Sequence, residues 1–218
     1  MGRKDHSATR SGHARGVPGR SAGRWLGAVT AAVLGLAGCG SDSPSPPPPP
    51  PPSEEERLSD AWERYRDGQF DAARERFAAL AADFPESEAP WLGIGWSLAR
   101  RDSFPTAEAA CDSALARRET EDALVARAII QLARGRDAAA LASLDAGYRF
   151  PYQFRWDLTI DDRTVAVTRG LALFNLGRYE ESLAALQVTW PDVTLDLEAI
   201  DVREQLARLL AALEAELP

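Results

Sequence analysis

Four short polar segments recur along the chain at nearly constant spacing. They read Asp67-Gly68-Gln69-Phe70, Arg101-Asp102-Ser103-Phe104, Arg134-Gly135-Arg136-Asp137 and Leu176-Gly177-Arg178-Tyr179. Their second residues lie 34, 33 and 42 positions apart. A period of this length is typical of stacked structural repeats, in which each unit buries its apolar face against its neighbours. The spacing therefore predicts a repeat protein.

The stretches between these segments are rich in Ala, Leu, Arg and Glu, which favour helices. Each period contains small residues that would let two helices approach, large ones that would fill the remaining space, and a residue suited to a tight turn. In the second unit these are Trp91, Ile94, Gly95 and Leu98, then Phe104, Ala107, Cys111 and Ala114. Cys111 falls at a core position, so we interpret it as buried packing and not as a nucleophile.

This pattern resembles the tetratricopeptide repeat, a helix pair of about 34 residues. The resemblance covers roughly residues 54 to 190. It implies an all-α fold, a right-handed α-solenoid of about four helix pairs. Between Leu195 and Leu217, leucines recur at helical spacing and predict a C-terminal helix that caps the last apolar face. Residues 54–218 are therefore the predicted repeat domain.

The N-terminal residues predict export and lipidation. Arg20 and Arg24 precede a short apolar run that ends in Leu36-Ala37-Gly38-Cys39. A basic segment, a short apolar run and small residues at the break are typical of a secretory signal, and the run is short for a transmembrane helix. The last four residues resemble the lipobox of bacterial lipoproteins. This implies removal of residues 1–38 and a lipid on Cys39, which would hold the protein to a membrane.

Residues 39–53 are predicted to form a proline-rich tether. They include seven consecutive prolines, Pro46–Pro52. Polyproline is extended and stiff, so this segment would hold the domain away from the membrane; a docking motif for a proline-binding module is the alternative. Gly40 stands where an aspartate retains lipoproteins in the inner membrane of enteric bacteria. We therefore expect the outer membrane, on its periplasmic side or at the cell surface.

Removal of residues 1–38 would also change the available chemistry. That segment contains both histidines and the only lysine, Lys4. Their loss excludes histidine general bases and metal ligands, Schiff bases and a P-loop lysine. Of the 25 basic and 33 acidic residues, 19 and 32 would remain, a net charge of −13 that disfavours nucleic acid. We expect no catalytic centre, metal or cofactor.

Two acidic runs are given structural roles. Glu54–Glu56 suit the first turn of a helix, where the helix dipole favours negative charge. Asp162 is expected to cap a helix that begins near Arg163.

In the tetratricopeptide family the first helix of each pair lines the concave surface. The resemblance therefore implies a binding groove lined by Trp62, Tyr65, Arg66, Leu92, Trp96, Arg100, Ile129, Leu171, Phe174 and Asn175. This surface is more apolar than a solvated groove should be. It either receives a partner's helix or extended segment, or is filled by the chain itself.

The 42-residue spacing indicates an insertion near residues 148–162. It contains Tyr148, Phe150, Tyr152, Phe154 and Trp156 at alternate positions. An extended backbone would place all five on one side. The segment is either an aromatic platform for a glycan or peptide, or a loop packed against the solenoid.

Two functions follow from these patterns. The first is a membrane-anchored, non-catalytic adaptor that binds other proteins of the bacterial cell envelope. The alternative is an envelope module that captures a glycan or peptide with residues 148–156. An enzyme is not expected, because no acid–base or nucleophilic constellation is found in the sequence.

Overall fold

A computed structural model describes residues 50–217 of the chain. The predicted signal peptide, Cys39 and most of the tether lie outside the described residues. Within this range the fold is all-helical, with a single isolated antiparallel bridge between Gln153 and Asp161. The helices are α1 (Glu54–Arg66), α2 (Phe70–Asp83), α3 (Ala89–Ala99), α4 (Phe104–Arg117), α5 (Glu121–Ala133), α6 (Asp137–Gly147), α7 (Asp162–Asn175), α8 (Tyr179–Gln187) and α9 (Val202–Ala215). No helix among the described residues is long and apolar enough to cross a membrane.

The first eight helices pack as consecutive pairs, from α1 with α2 to α7 with α8. The first helices of successive pairs also contact one another, α1 with α3, α3 with α5 and α5 with α7. The second helices of successive pairs make no such contacts in residues 50–217. The array is therefore drawn together on the side of the first helices and spread on the other, so its inner face is built from α1, α3, α5 and α7.

The proline run of the tether ends at Pro52, and the next residue, Ser53, caps the start of α1. Its hydroxyl accepts a hydrogen bond from the Glu56 backbone N–H at 3.3 Å, and the Glu56 carboxylate accepts one from the Ser53 N–H at 2.7 Å. These reciprocal bonds satisfy backbone donors that the first helical turn leaves unpaired. Glu54, Glu55 and Glu56 lie in that turn, as predicted.

The four turns between paired helices share one backbone geometry. Gly68, Asp102, Gly135 and Gly177 have φ values of 75°, 54°, 67° and 73°. Each donates its N–H to the carbonyl three residues back, and the next N–H reaches the carbonyl five residues back. This pattern pairs the last carbonyls of a helix and needs a left-handed residue, usually glycine and sometimes an aspartate or asparagine. These are the same four positions that the sequence motifs align.

Small residues allow close approach within the pairs. A Cβ atom on Gly95 of α3 would lie 2.8 Å from the Sγ atom of Cys111 and 3.3 Å from the carbonyl oxygen of Ala107, both on α4. Cys111 is fully buried, and this burial raises the pKa of its thiol to about 12. The thiol therefore stays protonated and acts as packing, which agrees with the sequence-based interpretation.

Residues 148–161 connect α6 to α7 without a helix, at the predicted insertion; we call them the strap. The prediction that Asp162 caps the next helix is wrong. Asp161 caps α7, since its carboxylate accepts the N–H groups of Arg163 at 2.9 Å and Thr164 at 3.2 Å. The Asp162 carboxylate instead holds the strap, as described below.

The predicted C-terminal helix is α9, which begins at Val202, later than Leu195. Before it, the Asp196 carboxylate accepts a hydrogen bond from the Glu198 N–H at 3.0 Å, a local turn that competes with helix formation. α9 packs against α7 and α8 and buries Leu206, Leu210 and Leu213. With Val167 and Leu186 these leucines form a second apolar cluster, separate from the main core.

Candidate binding groove

The floor of the inner face is aromatic because of helical periodicity in α1. Leu58, Ala61, Trp62 and Tyr65 follow the i, i+3, i+4, i+7 spacing and lie on one side of the helix. All four are buried, and Trp62 is 0% exposed. Trp96 of α3 lies beside this stripe, where both it and Trp62 contact the same strap residue.

The chain itself fills this part of the inner face. Phe154 of the strap is 0% exposed, with its ring centroid 5.4 Å from that of Trp62 and 5.9 Å from that of Trp96. Trp156 stacks on Trp62 at 5.8 Å with an interplanar angle of 12°. Tyr152 and Ile160 are also buried. Of the two alternatives for the groove, the structure therefore presents the self-filled one.

Polar contacts hold the strap to the N-terminal ends of the first helices. The Tyr152 hydroxyl donates to Asp122 of α5 at 3.0 Å, and the Tyr152 N–H donates to Asp162 of α7 at 2.9 Å. The Tyr148 hydroxyl donates to the same Asp162 carboxylate at 2.7 Å. Arg155 forms an ion pair with Glu55 of α1 at 2.5 Å. Three of the four first helices therefore contribute a carboxylate to the strap.

The protonation states of these groups support the contacts. Burial raises the pKa of Tyr152, and the adjacent Asp122 charge raises it further. Burial likewise raises the pKa of Tyr148, with the hydrogen bond to Asp162 acting in the same direction. Both phenols therefore stay protonated and can donate at any physiological pH. Burial also raises the pKa of Asp122, although the hydrogen bond from Tyr152 opposes this.

Two indole groups under the strap lack hydrogen-bond partners. The Nε1–H groups of Trp62 and Trp96 are buried and find no acceptor among residues 50–217. Leaving a buried donor unpaired costs about 1–3 kcal/mol. The apolar contacts of Phe154 with these two rings thus come with polar groups that the strap does not satisfy.

The structure divides the predicted partner-binding residues into three groups. Trp62, Tyr65, Leu92 and Trp96 are at most 5% exposed, so they offer no free surface in this conformation. Arg66, Arg100 and Asn175 are exposed; Arg100 lines an opening beside the strap, and Asn175 donates to Asp137 of α6 at 2.8 Å. Ile129 is half-buried beside the strap, and Leu171 and Phe174 are half-buried against the α9 cluster. The inner face is thus covered by the strap at one end and by α9 at the other.

The aromatic segment does not present all five rings to one side, so that expectation is wrong. Tyr152 and Phe154 are buried, and Tyr148 and Trp156 are half-buried. Phe150 is 59% exposed, because the backbone bends at residues 150 and 151 and the alternation of buried and exposed side chains begins only at Tyr152. Alternation therefore holds from Tyr152 to Trp156 and fails before it.

Trp156 is not a free stacking platform in this conformation. The Trp62 ring lies parallel to it, and the Arg155 guanidinium lies over it with its Cζ atom 4.1 Å from the ring centroid. These contacts take up ring surface on which a sugar would stack.

Two of the openings beside the strap adjoin the groove. A small one of ≈ 170 Å³ lies between the strap and the C-terminal end of α9; its lining includes Tyr65, Trp96, Arg100, Thr164 and Leu217. A larger cleft of ≈ 550 Å³ lies where the tether enters, between the first turns of α1 and α3 and the strap. Its two arginines are already paired, Arg118 with Glu88 and Arg155 with Glu55.

The sequence does not predict the polar contacts of the strap. Asp122 is one of two acidic residues in the first turn of α5, and only the fold brings it to Tyr152. Among residues 50–217, no group of His, Cys, Asp or Glu is arranged to hold a metal ion.

No protein-family model matches the chain, and no curated protein matches it in sequence.

Proposed function

We propose that this protein is a lipid-anchored, non-catalytic adaptor of the bacterial cell envelope that binds other envelope proteins. The observation that carries the proposal is the series of helix pairs with one shared turn geometry. Stacked pairs of this kind build an extended surface from many side chains. A partner binds to it through complementary surface contacts, and no reaction is involved. The four aligned turns and the tetratricopeptide resemblance support the same architecture.

The anchor part of the proposal comes from the sequence before the helical domain. The lipobox-like Leu36-Ala37-Gly38-Cys39 would place a lipid on Cys39, and the prolines would extend about 3.1 Å per residue from it. Seven prolines would span roughly 20 Å. Because Ser53 starts α1 directly after Pro52, the tether would hold the domain by the N-terminal end of α1.

The non-catalytic part rests on the side chains that remain after Cys39. That part of the chain has no histidine and no lysine. Cys111 is buried with a raised pKa, so it is a poor nucleophile. The carboxylates nearest the groove are engaged, since Asp122 and Asp162 accept from tyrosines and Glu55 pairs with Arg155.

Cys39→Ser is expected to abolish lipidation and to leave the precursor uncleaved. The thioether acceptor would be missing, and stable anchoring needs the acyl chains. Metabolic labelling with a fatty-acid probe, together with mass spectrometry of the N-terminus, measures both effects. A control substitution of Ser41, two residues beyond the cysteine, should retain the label. Equal labelling of the Cys39→Ser protein would contradict the anchor.

Photo-crosslinking in native envelopes tests the adaptor function. A photoreactive residue at Arg66 or Arg100, both exposed at the C-terminal end of a first helix, should capture one or more specific envelope proteins. The matched control is the same residue at Glu75, which is exposed on the second helix of the first pair. Capture of a polysaccharide and no protein at Arg66 and Arg100 would favour the glycan-capturing alternative and overturn the adaptor.

A further inference from the structure

We infer that the strap is an internal competitor. It occupies the groove that receives a partner segment with aromatic residues at alternate positions, and it must leave before that segment binds. This inference rests on the proposed adaptor function and deepens it, because it names the chemistry of the partner segment and a control built into the same site.

The strap itself shows which chemistry the groove accepts. Tyr152, Phe154 and Trp156 turn towards the helices, whereas Gln153 and Arg155 between them are exposed. The groove therefore takes alternate side chains of the segment, up to a turn at Arg155 and Trp156. Phe154 is the deepest of the three, since it contacts Trp62 and Trp96 together.

The strap leaves two hydrogen-bond donors of the helices unpaired. The indole N–H groups of Trp62 and Trp96 are buried without an acceptor in the described part of the chain, although both rings lie against Phe154. A second segment with the same aromatic spacing can gain over the strap by placing a carbonyl or carboxamide oxygen on either indole.

The strap can leave without breaking the helical array. Its only regular backbone pairing is internal, the Phe154 N–H to the Ile160 carbonyl at 2.9 Å within the Gln153–Asp161 bridge. Its ion pair to α1 joins two side chains that are more than half exposed, Arg155 and Glu55. Such exposed pairs contribute little to stability. What holds the strap is therefore mainly the burial of Tyr152, Phe154 and Ile160. Hydrogen bonds to Asp122, Asp162 and Glu121 from Tyr148, Arg149 and Tyr152 add to it.

The rim of the groove is acidic at the N-terminal ends of the first helices. Glu55, Glu121 and Asp122 lie there, and the strap places Arg155 among them. Arg100 lies at the opposite end of α3. The partner segment is therefore expected to place a polar or basic residue at the acidic end, as the strap does with Arg155, since an acidic residue there would be repelled.

The test compares the intact lipidated protein in detergent with a variant in which residues 150–160 are replaced by a Gly/Ser linker of equal length. The probe is a fluorescent peptide with the sequence of residues 150–160, and binding is followed by anisotropy. The variant should bind this peptide at least tenfold more tightly than the intact protein. A peptide carrying Phe154→Ala should lose at least tenfold in affinity for the variant.

Each other outcome overturns the inference. Equal affinities for the intact protein and the variant would mean that the strap does not compete. Loss of helical circular dichroism in the variant would mean that the strap belongs to the core and cannot leave. A full-length Phe154→Ala protein keeps the strap but lacks its deepest side chain. Its affinity for the peptide should lie between those of the intact protein and the variant. An affinity no higher than that of the intact protein would contradict competition.

Failure of the inference and failure of the adaptor function give different results. If the variant binds the peptide but no envelope protein is captured from Arg66 or Arg100, the groove chemistry is supported and the adaptor function is contradicted. If envelope proteins are captured at the same yield with and without residues 150–160, the adaptor function is supported and competition by the strap is contradicted.

Discussion

Trp62→Ala is expected to lower the free energy of unfolding by about 3–5 kcal/mol, the usual cost of truncating a large buried aromatic side chain. Trp62 is 0% exposed and contacts four other rings, those of Tyr65, Phe77, Phe154 and Trp156. Its loss would leave a cavity between α1, α2 and the strap. Urea unfolding followed by far-ultraviolet circular dichroism measures the change without depending on tryptophan emission.

Two matched substitutions test the cause. Trp62→Phe should cost only about 1–2 kcal/mol, because it keeps an aromatic ring and removes the N–H that has no acceptor in the described chain. Phe150→Ala removes an aromatic residue that is 59% exposed on the same strap, and should change stability by less than about 0.5 kcal/mol. A Trp62→Ala protein as stable as the Phe150→Ala protein would contradict the packing described for the groove floor.

A buried polar network joins the second pair of helices to the third. Glu108 of α4 is only 5% exposed and accepts hydrogen bonds from Gln131 at 2.9 Å, from Arg136 at 2.5 Å and from Arg134. Gln131 in turn accepts from Ser143 of α6 at 2.7 Å. Burial alone would raise the pKa of Glu108, but the bonds from Gln131 and the two arginines outweigh it and hold the pKa below its ordinary value.

Glu108→Gln is expected to lower the free energy of unfolding by about 2 kcal/mol at pH 7, because both arginines lose a charged acceptor. The arginines are 30% and 50% exposed, so water offsets part of the loss. Since folding lowers the pKa of Glu108, its carboxylate stabilises the folded chain above the ordinary value of 4.5, and this contribution disappears as the pH falls through the lower folded value. The difference between the two proteins should therefore shrink below pH 4.5.

The control for Glu108 is Glu204→Gln in α9. Glu204 pairs with Arg208, but both side chains are well exposed, at 64% and 73%. Removing this pair should change stability by less than about 0.5 kcal/mol at any pH. A stability difference for Glu108→Gln that stays constant between pH 7 and pH 3 would show that the lost charge is not its cause.

The helix pairs could be predicted because their signals are local. The left-handed residue of each turn is encoded by Gly68, Asp102, Gly135 and Gly177, and a few flanking residues suffice to recognise it. The start of α1 at Ser53 is equally local, since the capping bonds join residues three apart. Errors arose where neighbouring residues compete, as with Asp161 and Asp162 at the start of α7.

The state of the groove could not be predicted, because it depends on contacts between distant residues. Alternation of aromatics in the strap is compatible with an exposed platform and with a buried strip. The contact between Trp62 and Phe154 decides between them, and it joins residues 92 positions apart. α9 presents the same difficulty, since its leucines predict an apolar face but not that this face covers Leu171 and Phe174.

The sequence alone therefore determined the all-helical pairing and the register of the turns, because helix periodicity and left-handed turn residues act over a few positions. It also carries the expectation of a lipid anchor at Cys39. Only the tertiary structure decided that the inner face is covered, by the strap at one end and by α9 at the other. The reason is that an apolar surface requires burial but does not specify which segment buries it. The segments that cover the inner face are distant from it in the sequence.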